Sequence, residues 1–388
     1  MAFVQNITKN ISGDRNIWLI FGFLCLASML AVYSSAGIME YRSGGVGVGY
    51  HIIKHLLIII CGGFIVYVVH QLPHKFFSAI APTFLLISMI LLIFTMAFGV
   101  EINDAKRWIS VPFIGLTFQT SDLAKVAIVL FLARNISSKQ SSIKNFNTFA
   151  VPMLLPILGV CLLIAPSDLS SAMILFATCL IMLFVGRIKT QYIFMVLFAG
   201  AIGLALLILV GYAFPELTRF DTWMSRISDF MTGADSRDNI QAKIAIAQGG
   251  WFGTGPGNSM QRNFIAYPYA DFIFAIICEE YGVIGAVLIL AIYLMLLFRC
   301  TKLLTRSKKT FGAVLAFGLC LNIVLQAMAN LAVSVHLVPA TGLTLPMISM
   351  GGSSLLFTSL QFGIILSVSR DVEKNGFHVK SEKNESDD

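Results

Sequence analysis

Apolar runs of about twenty residues recur along the whole chain, and no other feature restricts its folding as strongly. A helix of that length rises about 30 Å, the thickness of the hydrocarbon layer of a bilayer. Within that layer a segment must satisfy its own backbone hydrogen bonds, so such runs fold as helices. Ten segments meet or approach the requirement: 17–36, 52–71, 77–99, 120–136, 149–165, 168–186, 191–214, 271–298, 311–337 and 346–369. The fourth and fifth are short and interrupted by proline or charge. Composition agrees: 57% of the 388 residues are hydrophobic and 12% charged, where a soluble domain needs about a quarter charged. The fold expected is an all-α polytopic membrane protein with about ten transmembrane helices. One domain covers residues 1–370. The polar tail 371–388 lacks apolar periodicity and is expected to be disordered.

An even number of crossings puts both termini on one side. Short loops decide which, because Lys and Arg accumulate on the cytoplasmic side. The cluster Arg299, Lys302, Arg306, Lys308 and Lys309 marks the inner side, while the short outer loops hold only Arg42, Lys106 and Arg107. Both termini are therefore expected in the cytoplasm, and residues 215–270 form the one long outer loop. The net charge of +7 reports this topology and does not argue for a nucleic-acid partner. The first apolar run lacks a cleavage site and reads as a retained anchor. The seven cysteines lie in or beside apolar runs without ligand spacing, which suits small buried hydrophobes and neither disulfides nor a metal site.

The long outer loop has a pattern of its own. An amphipathic helix is expected near Thr222–Met231 and another helix at Asn239–Ala247. The run Gly249-Gly250-Trp251-Phe252-Gly253-Thr254-Gly255-Pro256-Gly257-Asn258 can only be tight backbone. It is no phosphate loop, since Pro256-Gly257-Asn258 stands where Lys-Ser/Thr would be needed. Any energy for chemistry outside the cell must come with the substrate.

Ionisable residues in a bilayer are costly, so each is weighed as functional. Asp271 opens the eighth span, where it serves as a helix N-cap, as a positioned base, or as both. Glu279 and Glu280 lie about 12–14 Å farther along the same helix, too far to pair with Asp271, and interhelical pairing suits them better. Lys125, one turn into the fourth span, is either a snorkelling lysine or a functional one. Lys54 and His55 read as snorkelling interface residues, and Asp168 as an N-cap. Asn322, Gln326, Asn330 and Ser334 recur every four residues on the ninth span, the pattern of hydrogen-bond glue between helices. Lys106-Arg107-Trp108 is an interfacial anchor or an anion clamp.

Four stretches together resemble the SEDS family of bacterial membrane proteins, which includes FtsW, RodA and SpoVE. Asn103-Asp104-Ala105-Lys106-Arg107-Trp108-Ile109 is similar to N-G-A-R-R-W-I. Phe118-Gln119-Thr120-Ser121-Asp122-Leu123-Ala124-Lys125 is similar to F-Q-P-S-E-x-A-K. Asp271-Phe272-Ile273-Phe274-Ala275 with Glu279-Glu280-Tyr281-Gly282 matches D-F-I-F-A-x-x-x-E-E-x-G. Pro339 to Ser354 resembles P-x-T-G-x-x-L-P-F-x-S-Y-G-G-S-S. Each stretch alone is weak; four in family order over about residues 16–370 are specific. The chain departs from the pattern at Tyr267-Pro268-Tyr269-Ala270-Asp271, where the family has P-E-x-H-T-D, so neither Glu nor His assists the base here. Asp104 replaces a glycine and Thr120 a proline. Gly255-Pro256-Gly257-Asn258-Ser259-Met260-Gln261-Arg262 looks more like the division-type members.

The resemblance implies a glycosyltransferase that polymerises lipid II into peptidoglycan strands beside a class B penicillin-binding protein and other division-complex proteins, at the cytoplasmic membrane. It implies Asp271 as the catalytic residue, Lys125 and Arg107 as basic residues at the substrate, and Gly351, Gly352, Ser353 and Ser354 as its signature; Lys106 and Arg262 join them as expected substrate contacts. It also makes a divalent cation, Mg or Mn, an expectation, although no ligand cluster in the sequence demands one. The chemistry suits a lone carboxylate. Hydrolysis of an unactivated glycoside takes two, whereas a lipid pyrophosphate leaving group needs charge neutralisation more than a proton. Two other readings compete: a lipid II flippase, which predicts mid-membrane polar groups in repeated halves, and a non-catalytic scaffold for the transpeptidase, in which Asp271 only caps.

Overall fold

The computed structural model describes residues 12–42, 47–102, 105–110, 117–139, 150–214, 218–233, 236–307 and 310–385. Each of the ten apolar segments coincides with a helix. In chain order these are α1 (Arg15–Arg42), α2 (Val48–Gln71), α3 (His74–Phe98), α4 (Thr120–Lys139), α5 (Leu155–Ile164), α6 (Leu169–Val185) and α7 (Thr190–Ala213). The outer loop adds α8 (Phe220–Thr232) and α9 (Arg237–Gly249), and α10 (Ile273–Arg306), α11 (Thr310–Ser334) and α12 (Gly352–Glu385) complete the chain. Among the described residues seven helices are long and apolar enough to cross a membrane; α5 and α6 are shorter, and α4, which carries Asp122, Lys125 and Arg134, is not among the seven. A π-helical turn, Ala150–Leu154, leads into α5.

Burial sorts the helices. The most apolar stretch of α11 is 83% buried and that of α7 only 11%, so α11 is central and α7 faces outward. Small residues allow the close approach that packing in a bilayer requires. Gly318 on α11 is one: a Cβ there would stand 2.6 Å from the Met182 sulfur on α6. Ala124, Ala127 and Ala133 of α4 are fully buried in the same core.

One end of the bundle is tied by polar contacts between distant parts of the chain. The Asp14 amide donates to Ser369 Oγ at 2.5 Å, Arg299 reaches Asp14 at 3.5 Å, and Arg370 donates to the Gln71 carbonyl at 2.9 Å. Both chain ends therefore meet at one end, as an even number of crossings requires. Asp371 pairs with His74, and the Glu373 carboxylate accepts from the Gly13 amide at 3.2 Å. Asp371 and Glu373, at the start of the tail set apart from the domain above, are thus held against the bundle. Residues 386–388 lie outside the described residues, as do Asn103, Asp104, Lys308 and Lys309.

Two corrections concern the outer end. The expected all-α fold contains a small antiparallel sheet of three strands, β1 (Val100–Ile102), β2 (Ala105–Ser110) and β3 (Thr117–Gln119), in that spatial order. Its strands are too short to stand out in the sequence. The eighth span begins at Ile273 and is broken at Gly282, whose φ of 65° and ψ of −164° leave the helical region. The break strands backbone groups that the glycine-rich run satisfies. Thr254 and Gly255 donate to the Glu279 and Glu280 carbonyls at 2.9 and 3.0 Å, and Val283 donates to the Gly250 carbonyl at 2.9 Å. The fit admits no side chain: a Cβ on Gly282 would lie 2.4 Å from the Trp251 carbonyl oxygen, and one on Gly253 2.1 Å from that of Glu280.

The two loop helices form where their patterns predict. Ser236 caps α9 by accepting from the Asn239 amide at 3.4 Å. On α8, Phe220, Trp223, Met224, Ile227, Phe230 and Met231 share one apolar face, and Met224, Ile227 and Met231 are exposed.

Candidate functional site

At the outer end, Asp271 lies just ahead of α10 and does not cap it; the N-cap position is Phe272, which makes no side-chain cap bond. The N-cap expectation is corrected because three successive carbonyls fix the strand of chain that carries Asp271. Tyr269, Ala270 and Asp271 accept from the Met350 amide (2.9 Å), Ser349 Oγ (2.6 Å) and Asn330 Nδ2 (2.8 Å). Asn330 Nδ2 also donates to the Leu343 carbonyl at 2.6 Å, clamping the two segments together. The carboxylate is left facing a cavity beside Gly342, where a Cβ would stand 3.8 Å from Asp271 Oδ2. Burial pushes the Asp271 carboxyl up to about 6, against the pull of Arg226 and Arg107, with Asp168 and Asp238 adding to the rise.

The cavity holds about 230 Å³ and is lined among others by Arg107, Lys125, Arg219, Arg226 and Asp271. Arg107 projects inward from β2, and its Nη1 donates to Asp168 Oδ2 at 3.2 Å. Asp168 also caps α6, as expected, by accepting from the Ser171 amide at 3.1 Å. Lys125 does not snorkel. It is buried, and its Nζ donates to Asp122 Oδ1 at 3.0 Å and Gln326 Oε1 at 3.3 Å. Arg226 of α8 donates to the Ala340 carbonyl at 3.1 Å, and burial lowers its pKa, as does the neighbouring charge of Arg107. Among the described residues, buried polar atoms of this lining without a hydrogen-bond partner include Arg107 Nε, Asp122 Oδ2 and Thr341 Oγ1. Orphans of this kind mark a place for a polar ligand.

Asp271, Lys125, Arg107, Gly351 and Ser354 thus meet around one space. The other expected contacts do not line it. Lys106 is exposed, because adjacent residues of a strand point to opposite sides. Arg262 donates to the Ser34 carbonyl at 2.5 Å and ties the loop to α1. Gly352 starts α12, and Ser353 Oγ accepts from the Gln119 amide at 3.3 Å, fastening β3 to that helix. Arg219, Arg226 and Thr341 were not anticipated. The signal for Arg226 was an arginine on the polar side of an amphipathic outer helix.

The remaining polar residues are structural. The Glu279 carboxylate accepts from Ser259 Oγ and from the Met260 and Gln261 amides at 2.9 and 3.3 Å, and that of Glu280 from Ser34 Oγ and the Ser259 amide at 3.4 Å. They bind the outer loop more than another helix, a correction to the expected interhelical pairing. The α11 stripe acts as glue: Asn322 donates to Gln361 at 3.2 Å and Gln326 to the Thr344 carbonyl at 3.0 Å. His55 is buried against Ser28 at 2.8 Å instead of snorkelling, while Lys54 is exposed. All seven cysteines are free. Among the described residues no three His, Cys, Asp or Glu converge as a metal site. The cavity supplies positive charge from its own side chains.

Helices around a buried carboxylate, set among guanidinium and ammonium groups at one end of the bundle, define a polytopic membrane protein with a polar chamber at that end. The FtsW/RodA/SpoVE family model, described as "Cell cycle protein", matches residues 14–374, and the chain belongs to that family. It is 34% identical over 378 residues to a probable peptidoglycan glycosyltransferase FtsW of Coxiella burnetii, covering 94% of this chain and 99% of that one. It is 32% identical over 366 residues to the protein of the same description in Halomonas elongata, covering 92% and 90%. The fold matches the rod shape determining protein RodA of Thermus thermophilus, with a TM-score of 0.66 at 22% identity over 92% of this chain and 97% of that one. It also matches a chain from a structure described as coordinating polymerization and crosslinking in a peptidoglycan synthase complex, with a TM-score of 0.71 at 23% identity over 92% and 98%.

Proposed function

We propose that this protein is a peptidoglycan glycosyltransferase that polymerises lipid II at the outer face of the cytoplasmic membrane and serves cell division. The observation that carries the reading is Asp271. It is a buried carboxylate held by its own backbone, with a pKa raised to about 6, facing a cavity that contains Arg107, Lys125 and Arg226. A base with a pKa near the working pH combines availability with proton affinity.

The reaction follows from that geometry. Asp271 takes the proton of the acceptor sugar's 4-hydroxyl as its oxygen attacks the anomeric carbon of the donor. The new glycosidic C–O bond forms, and the donor's C–O bond to pyrophosphate breaks with its electron pair leaving on the phosphate. Inversion at the anomeric carbon follows from a single displacement. Arg107, Lys125 and Arg226 meet the developing charge of the leaving group, and Asp168 holds Arg107 in place. A positioned base contributes about 10²–10⁴ in rate, and loss of one electrostatic stabiliser costs about 10²–10³. A class B penicillin-binding protein crosslinking the product is the partner that fits this role, and the synthase-complex neighbour supports it. A transporter would need Glu279 and Glu280 available to a substrate, and both are occupied by the outer loop.

The test is polymerisation of purified lipid II by the solubilised protein, with and without a class B partner, comparing wild type with Asp271→Asn. The expected result is long glycan from wild type and none from an equally stable mutant. Polymer persisting in the mutant would remove Asp271 from the role, and no polymer from partnered wild type with verified substrate would favour the flippase or scaffold reading.

A further inference from the structure

A second cavity adjoins the first, and Asp271 lies on the wall between them. It holds about 340 Å³ and shares Arg226, Tyr267, Asp271, Thr341, Gly342 and Leu343 with its neighbour. The rest of its lining differs in kind. Asp229 comes from α8, Ser236, Asp238 and Asn239 from the start of α9, and Phe230 and His336 stack with ring centroids 5.2 Å apart. Arg226 is the one Lys or Arg along this second cavity, against three carboxylates, whereas the first cavity sets four Lys and Arg against three.

We propose that the second cavity is the acceptor-sugar site, so that Asp271 works between a cationic chamber for the donor's pyrophosphate and a carboxylate-and-amide chamber for the incoming sugar. This rests on the glycosyltransferase reading. The charge argument is direct. A pyrophosphate placed beside Asp229, Asp238 and Asp271 would face like charge, which the single shared Arg226 does not offset. A sugar is neutral and rich in hydroxyl donors, and carboxylates accept from those donors. Asn239 adds an amide that both donates and accepts, and Tyr267, Phe230 and His336 offer ring faces for the sugar's C–H surface.

The chamber is also built. Asp238 Oδ1 accepts from the Ala266 amide at 3.0 Å, and Asp229 Oδ2 accepts from Ser225 Oγ at 3.3 Å, so each carboxylate is oriented with its other oxygen available. Arg226 is fixed in the shared wall by the Ala340 carbonyl at 3.1 Å. Thr341 Oγ1, buried and without a protein partner, belongs to both chambers and lies next to Gly342, against which Asp271 rests. Arg107 and Lys125 line the first chamber and not the second, so a sugar hydroxyl entering from the second reaches Asp271 without passing them. In-line displacement requires the nucleophile and the leaving group on opposite sides of the reacting carbon.

The experiment uses two probes with the full-length protein in detergent. One is the lipid II disaccharide-peptide without lipid or pyrophosphate, which carries the attacking hydroxyl and no leaving group. The other is undecaprenyl pyrophosphate, which carries only the leaving group. Binding of each is measured for wild type, Asp238→Asn, Asn239→Ala and Arg107→Gln. Asp238→Asn and Asn239→Ala should weaken the disaccharide about tenfold or more and leave the pyrophosphate within about twofold; Arg107→Gln should do the reverse. A pyrophosphate that follows Asp238, or a disaccharide indifferent to both second-chamber substitutions, overturns the assignment. Asp238→Asn also loses a charged hold on the Ala266 amide, so Asn239→Ala gives an independent reading should that variant misfold. Binding is read without turnover. Failure of the polymerase reading, seen as no glycan from partnered wild type, is therefore distinguishable from failure of this one.

Discussion

At the scale of single residues, the proposed role of Asp271 as base makes its carboxyl the group expected to set the response to pH. Its pKa is raised from 3.8 to about 6 by burial, and the base must be charged to accept a proton. Polymerisation should therefore fall tenfold per pH unit below about 6, read as the acid limb of kcat/KM. Stability moves the other way. A raised carboxyl pKa means the fold prefers the neutral form, so this group's contribution is present below its ordinary value and lost as pH rises through about 6. Relieved of that buried charge, Asp271→Asn should melt no lower than wild type at pH 8, and higher by an amount corresponding to at most about 3 kcal/mol. Asn330→Ala tests the clamp. It frees two buried carbonyls, at a cost of about 1–3 kcal/mol each, and loosens the base. The expectation is a kcat about tenfold lower with KM little changed, and an equal loss in both would reduce Asn330 to a packing role. The sequence made Asp271, Lys125 and Arg107 legible as costly charges in an apolar chain. It could not separate Lys106 from Arg107, because that depends on which side of β2 faces the cavity. Nor could it enlist Arg226, whose hydrogen-bond partner, the Ala340 carbonyl, lies 114 residues away.

At the scale of elements, the break in α10 and the glycine run form one joint. Gly282→Ala and Gly253→Ala each force a Cβ against backbone at positive φ, where no side chain can yield. Either should lower folded yield after solubilisation, while Gly257→Ala, with open space around it, should be milder, limited to the strain of its positive φ. Size-exclusion profiles of the three variants check the order. The run was readable as tight backbone from its composition alone. Its partner was not, since a glycine within a span does not by itself announce a break. The three-stranded sheet was hidden for a related reason: strands of three to six residues carry too few alternations to register.

At the scale of the whole molecule, the chamber gathers β2, the starts of α4 and α6, α8, the segment before α10 and the segment before α12. All belong to the side that the distribution of Lys and Arg assigns as outer, while the polar contacts of both chain ends lie at the other end of the bundle. The orientation itself is testable with a membrane-impermeant thiol reagent on intact cells. Ser236→Cys should react from outside, and Thr301→Cys only after permeabilisation; the opposite result would invert the topology and move the chamber to the cytoplasm. Hydropathy located the apolar segments, each of which overlaps a helix. It was silent on which helices touch, because ten apolar cylinders in lipid look alike until small residues such as Gly318 decide which can approach.

The joint at Gly282 has a further consequence. Its hydrogen bonds at the break run largely between main-chain atoms, the one part of a protein that substitution leaves in place. Trp251 and Phe252, within the same run, point outward and are 72% and 82% exposed. The loop can thus change the face it shows to its surroundings through such positions while its glycines keep their register with the helix behind Asp271. The outward face of the loop and the wall behind Asp271 are, at this seam, free to evolve on separate schedules.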